Sequence, residues 1–227
     1  PISQDATVLV PDYPLLPTRR RFWEKVLRAI DAAGTSAQLR TQLRMVHESN
    51  RFVANQPIGT VVPADVIYDQ QEASMLQSGV LHRDMNALIK QMDDGTPDGV
   101  MRARLCRLIF LIGKLPTDGP NATGLKATAE TLADLLVADL KAGSASLRQQ
   151  IPALLQGLVE RGTLLQIDHE YRLQTREGAV WTHDFNRRRT AALNDDPRIN
   201  SKRAELLQGG AKQALKPVFL QQGSSGT

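Results

Sequence analysis

SLRQQIPALLQGLVERGTLLQIDHEYRLQT, residues 146–175, carries two periodicities in succession. Leu147, Ile151, Leu154, Leu155 and Leu158 recur at helical spacing, so the first half reads as an amphipathic helix from Leu147 to Arg161. Ser146 can cap it, and Gly162 closes it. Pro152 lies inside and predicts a kink or a fresh start, because proline removes a backbone donor. The pattern then turns alternating. Thr163–Ile167 and Tyr171–Thr175 flank Asp168-His169-Glu170, the signature of a β-hairpin.

Upstream, residues 100–113 predict a helix with Leu105, Leu108, Ile109 and Ile112 inward. Residues 129–141 predict another, with Leu132, Leu135, Leu136 and Leu140 inward. Three helices followed by a two-stranded hairpin is the order of a winged-helix domain, placed at 99–177. Its upstream border is Asp93-Asp94-Gly95-Thr96-Pro97-Asp98-Gly99, the densest turn cluster in the chain.

Residues 17–98 read as a helical subdomain. Thr18 can cap a helix to about Ala33, stopped by Gly34, that buries Phe22, Trp23, Val26, Leu27 and Ile30. A second helix from near Ser36 is expected to bury Leu39, Leu43, Val46 and Val53. Its other side carries Arg40, Arg44, His47 and Arg51, a stripe that either faces an anion or is solvated beside Glu48. Thr60-Val61-Val62 is a short extended piece, and Pro63 suits the first turn of a helix burying Val66, Ile67 and Met75 or Leu76, ended by Gly79. A further helix spans about Val80 to Met92.

Thr7–Val10 reads as an apolar strand before a proline-punctuated loop. A lone strand cannot satisfy its own backbone groups, so residues 1–16 are expected to be the end of a sheet lying elsewhere. The tail, 178–227, is expected to hold helices at about 180–193 and 198–215 and a flexible end from Gln221. The fold class expected is mainly α: a helical lid subdomain followed by a winged helix.

Composition narrows the function classes. The chain has 227 residues, 41% hydrophobic and 23% charged, the proportions of an ordinary globular protein. One cysteine, Cys106, excludes an intrachain disulfide and makes a reducing, cytoplasmic setting the simplest expectation. No apolar run approaches the ~18 residues of a membrane span, and no basic-then-apolar leader opens the chain, so no membrane partner is expected. Aromatic residues are only 4%, which argues against base-stacking single-strand binders. The net charge of +4 is uneven: the last fifty residues carry eight basic against four acidic side chains. That asymmetry hints at a polyanionic partner.

No self-contained catalytic motif appears. There is no P-loop; Gly113-Lys114 lacks the preceding glycine, so Leu164–Asp168 is a wing strand and turn with no nucleotide site to serve. His82-Arg83-Asp84 repeats a kinase catalytic-loop triplet, but Ile89 stands where the asparagine is required. His47, His82, His169 and His183 lack metal-ligand spacing, and Cys106 sits in an apolar helix as a core thiol. No catalytic residue, metal or cofactor is expected in these residues.

Nucleic-acid contact and protein docking both stay open. In a winged helix the third helix enters the major groove by its N-terminal end, which here carries Arg148, Gln149 and Gln150. Arg161 at the helix end and Arg172 on the wing could meet phosphates. Two arginines on a reading helix are few, however, and many winged helices dock proteins. Of the triplets Arg19-Arg20-Arg21 and Arg187-Arg188-Arg189, the second has the more basic surroundings (Arg198, Lys202, Arg203) and is the better phosphate candidate. Mixed salt bridges and solvation are the simpler account of both.

Three runs resemble a known family: Asp12-Tyr13-Pro14-Leu15-Leu16-Pro17-Thr18-Arg19-Arg20-Arg21-Phe22-Trp23-Glu24, Gln38-Leu39-Arg40-Thr41-Gln42-Leu43-Arg44 and Gly59-Thr60-Val61-Val62-Pro63-Ala64-Asp65. The Ile167–Thr175 wing and Lys202-Arg203-Ala204-Glu205-Leu206-Leu207 agree with them. The chain thus resembles the large P-loop ATPase of bacteriophage-exclusion (BREX) systems, the BrxC/PglY type, whose members are several times longer. The resemblance implies an internal fragment of a phage-defence AAA+-like ATPase, with the nucleotide-binding core, its ATP and its Mg upstream of Pro1. It implies a lid at 17–98 and a winged helix that couples nucleotide state to double-stranded DNA or docks other BREX proteins or its own ATPase domain. By the same analogy Arg40 or Arg44 would sense the nucleotide, although the customary Gly-Asp-x-Arg context is not reproduced after Gly34.

Overall fold

The computed structural model describes residues 5–31, 39–117, 119–120, 122–174 and 176–216. The chain divides into two compact units, Pro1–Thr175 and Arg176–Thr227. The first is mainly helical, with one two-stranded antiparallel hairpin.

The chain start corrects the strand expectation. Asp5–Asp12 is a helix, α1, with Pro11 in its last turn. The β-branched Thr7, Val8 and Val10 suggested extended chain, but a helix satisfies its own backbone without a sheet neighbour. Both acidic ends of α1 are held by the next helix, α2 (Pro17–Ile30). Arg21 donates to the two carboxylate oxygens of Asp5 at 2.6 and 2.8 Å, and Arg20 pairs with Asp12 at 3.0 Å. Pro17 rather than Thr18 sets the start of α2: it occupies the first turn with its φ already helical, and Leu16 precedes it without a side-chain cap. Phe22, Trp23, Val26, Leu27 and Ile30 form the expected buried stripe.

Helix α3 (Leu39–Val53) buries Val53 as expected, but its buried face is turned from the one expected; the side chain of Leu39 lies outside the described residues. Met45, Ser49 and Val53, four apart, point inward, whereas Val46 is half-buried and Leu43 is 61% exposed. A serine in that stripe hid it from a purely apolar count. Ser49 Oγ donates to the carbonyl of Met45 at 2.7 Å and accepts from Gln70 at 2.9 Å, so its burial costs little. The expected stop at Gly34, the start at Ser36 and the end from Gln221 lie outside the described residues.

Between α3 and α4 (Val66–Gln77) the chain runs extended through the core. Val61, Val62 and Ala64 are fully buried. Their amides donate to Ala138, Pro14 and Leu135 respectively, at 2.9, 3.0 and 3.0 Å, and Thr60 bridges Asp139. Gly79, at φ +75, ends the turn after α4, and α5 (Arg83–Gln91) follows.

Thr96 caps α6 (Pro97–Ile112), accepting from the amide of Gly99 at 3.0 Å, with Pro97 in the first turn. Leu105, Leu108, Ile109 and Ile112 are buried as expected. Helix α7 (Ala129–Leu136), capped by Thr128, is shorter than expected. The chain leaves helical geometry at Val137 to reach Thr60, which leaves Leu140 47% exposed. Helix α8 (Ala145–Glu160) starts after Ser144, not Ser146, and buries Ile151, Leu155 and Leu158 while Pro152 faces out. Strands β1 (Leu164–Ile167) and β2 (Glu170–Leu173) pair with Leu164 opposite Leu173 and Ile167 opposite Glu170. Asp168 makes the turn at φ +55, a conformation that aspartate tolerates.

Helix α6 packs against α4 and α5, and also against α7, α8 and β2. A single hydrophobic core therefore continues from α2 to β1, across the border expected at 98/99. The second unit is the helix pair α9 (Arg176–Leu193) and α10 (Asp196–Leu215), with Asp195 capping α10. No residue of α10 is buried.

Candidate functional site

The outer face of α8 and the wing hold the residues expected to meet a partner. Arg148 is exposed, but its guanidinium closes on the carboxylate of Asp134 from α7, with contacts of 2.8, 2.9 and 3.2 Å. Gln150 donates to Asp98 at the start of α6, at 2.9 Å. Gln149 points into solvent. Arg172 on β2 leans on Glu170 of the same strand at 3.4 Å. Arg161, at the C-terminal end of α8, is exposed with no partner among the described residues.

The structure thus brings Arg148, Gln149 and Gln150 onto the first turns of one helix. It also places the acids Asp134 and Asp98 beside them. The remaining exposed side chains of α8 are uncharged (Ala145, Ser146, Pro152, Ala153 and Gln156) apart from Glu160. The face is polar and close to neutral.

The other candidates lie elsewhere. Arg40 and Arg44 are exposed on α3 without partners among the described residues, and Arg51 of the same stripe approaches Glu48 at 3.9 Å. Arg187 and Arg188 belong to the second unit and share Asp184, each at 2.7 Å. Arg189 beside them is exposed.

One arginine acts in a way that sequence reasoning missed. Arg19, of the first triplet, is 1% exposed. Its guanidinium donates to the carbonyls of Val62 at 2.5 Å and Val137 at 2.6 Å, with a longer reach to Asp134 at 3.4 Å. It therefore satisfies the carbonyls left open at the end of α7. Burial lowers its pKa to about 10, with Asp65 opposing that shift, so the charge is kept at neutral pH. Next to it Arg104 grips buried Asp65 through two bonds of 2.9 Å. Burial works most strongly against the Arg104 charge, but the bond to Asp65 and the negative charges of Asp65 and Asp69 together outweigh it and hold the pKa above the ordinary value. A signal for Arg19 existed. Positions 19, 22, 23, 26, 27 and 30 form one continuous helical stripe, and only the charge of Arg19 disguised its membership.

Cys106 is fully buried, and burial pushes its thiol up to about 12, so it has almost no thiolate at neutral pH. Among the described residues no group of His, Cys, Asp or Glu side chains could hold a metal ion. Nor, among them, is any helix long and apolar enough to cross a membrane.

Behind the wing lies a groove of about 330 Å³, walled by the start of α5, the end of α6, residues 125–127 and β2. The amide of Tyr171 donates to the carbonyl of Ala127 at 2.9 Å, which ties the wing to that wall.

These features describe a mainly helical chain whose last three helices of the first unit carry a two-stranded wing. Comparison with protein-family models, curated proteins and solved structures finds no match.

Proposed function

We propose that this chain is the non-catalytic lid and winged-helix region of a phage-defence ATPase of the BREX type, and that its winged helix docks protein. The family half rests on the resemblance of the three quoted runs. The docking half rests on one observation: the start of α8 is already engaged by acids of the same fold, Arg148 by Asp134 and Gln150 by Asp98. Phosphate contact requires a surplus of positive charge, and at the start of α8 Asp134 and Asp98 stand where they would repel phosphates. In this reading the partners are other BREX components or neighbouring ATPase subunits, in the cytoplasm. ATP and Mg belong to a core outside these residues.

A second reading, coupling of nucleotide state to double-stranded DNA, draws on the tail. There Arg189 and Arg203 are exposed and have no acid partner among the described residues. Titration of the chain with duplex DNA at two salt concentrations separates the two. Docking predicts no salt-sensitive binding through α8 and the wing, and retained co-purification with the cognate defence proteins. Duplex binding that weakens with salt and is lost in Arg148→Ala/Arg172→Ala, or in Arg189→Ala/Arg203→Ala, would replace docking by DNA contact.

A further inference from the structure

We propose that the groove behind the wing is the docking site, and that its occupant is an acidic peptide segment of a partner protein, anchored by apolar side chains. The inference deepens the docking reading and rests on it.

The floor is apolar: Met85 from α5, Ile109 and Phe110 from α6, Leu125 from the connecting segment and Leu173 from β2. Its volume of about 330 Å³ lies in the range of real ligand pockets, and apolar side chains entering it would be removed from water. The rim carries a positive excess. Lys114 and Arg172 line it as exposed cations, with the imidazole of His82 beside them, against a single acid, Glu170. Lys114 is held with its ammonium 4.9 Å from the Phe110 ring centroid, so a cation stands directly above the apolar floor. Arg172 is tethered to Glu170 at only one bond of 3.4 Å, which leaves most of its guanidinium donors for a ligand.

Charge complementarity selects the occupant. A basic peptide would meet Lys114 and Arg172, and a purely apolar one would leave Lys114 without an anion on desolvation. A segment alternating Glu or Asp with Leu or Phe satisfies floor and rim together. The α8 face offers no comparable fit, since Arg148 is already closed on Asp134 and Gln150 on Asp98.

The test uses the 227-residue chain and a fluorescein-labelled peptide alternating Glu with Leu and Phe, read by anisotropy against the same peptide with Lys for Glu. The Glu peptide is expected to bind and the Lys peptide to bind at least about tenfold more weakly. Lys114→Glu/Arg172→Glu should invert that preference, and inversion itself shows that the variant is folded. Equal binding of both peptides, no binding of the Glu peptide, or an unchanged preference in the folded double variant (checked by its melting curve) overturns the groove assignment. If that variant still co-purifies with the cognate defence proteins, the groove fails while docking stands. Salt-sensitive duplex binding through Arg148 and Arg172 would overturn docking itself.

Discussion

Arg19 and Val137 are 118 residues apart in sequence, and the guanidinium of the first donates to the carbonyl of the second at 2.6 Å. The same guanidinium holds Val62, so one side chain ties α2, the extended segment and the end of α7 together. Truncating Arg19 would leave those carbonyls buried without donors, at about 1–3 kcal/mol each. Arg19→Met should therefore cost about 3–5 kcal/mol by urea denaturation. Arg19→Lys should recover little of it, because an ammonium lacks the planar fork that spans two carbonyls. A loss below about 1 kcal/mol in Arg19→Met would refute this role.

Asp65 and Arg104 form a buried pair whose members depend on each other. Asp65→Asn should destabilise by about 3 kcal/mol or more, since Arg104 keeps its charge with no counter-ion. The double variant Asp65→Asn/Arg104→Met should be more stable than Asp65→Asn alone. A double-mutant cycle showing simple additivity would exclude the coupling.

On the surface the expectation reverses. Arg148 and Asp134 are each 51% exposed, so their pair contributes less than about 1 kcal/mol. Arg148→Ala should leave the midpoint of thermal unfolding nearly unchanged. A drop comparable with that of Arg19→Met would mean that α8 depends on this contact.

Cys106 links stability to alkaline pH. Its folded pKa is raised by burial from 9.0 to about 12, so the thiol stays protonated in the native chain after the unfolded chain has ionised. Its contribution is fully present below about pH 9 and is lost as pH rises towards about 12. Wild type should lose stability faster than Cys106→Ala across that window, with a difference in slope approaching ~1.4 kcal/mol per pH unit. Parallel pH curves would sink the assignment. Thiol-reactive dye should likewise label the native chain only at the rate of unfolding.

The hairpin, α6 and the inner face of α8 were legible because their periodicities are unbroken: Leu105, Leu108, Ile109 and Ile112 in one case, Ile151, Leu155 and Leu158 in another. Where the reading failed, a residue of the wrong polarity did the work of a core residue. Ser49 turned the buried face of α3, and Arg19 looked like part of a surface charge run. The α1 helix was missed because local β-branching outweighed the pairing of its acids with Arg20 and Arg21, which only tertiary structure supplies. Arg148 lies on α8 and Arg172 on the wing as expected. Glu170, two before Arg172 on the same strand, was legible as its neighbour, whereas the acid at 134 that closes on Arg148 carries no sequence mark of proximity. The groove was invisible for the same reason, being assembled from residues 80–85, 109–114, 125–127 and 170–173.

The extended segment through Val61, Val62 and Ala64 also sets a timetable for synthesis. Its amide partners Leu135 and Ala138 leave the ribosome more than seventy residues later. Until they emerge, that segment can bond only to Pro14 and to the side chains of Arg19 and Trp23, and α2 lacks the carbonyl of Val137 that Arg19 also holds. Closing so long a loop is slow and comes before its contacts can repay it. The first unit is therefore expected to close around Trp23 and Ile67 only once α7 is complete, late in its synthesis.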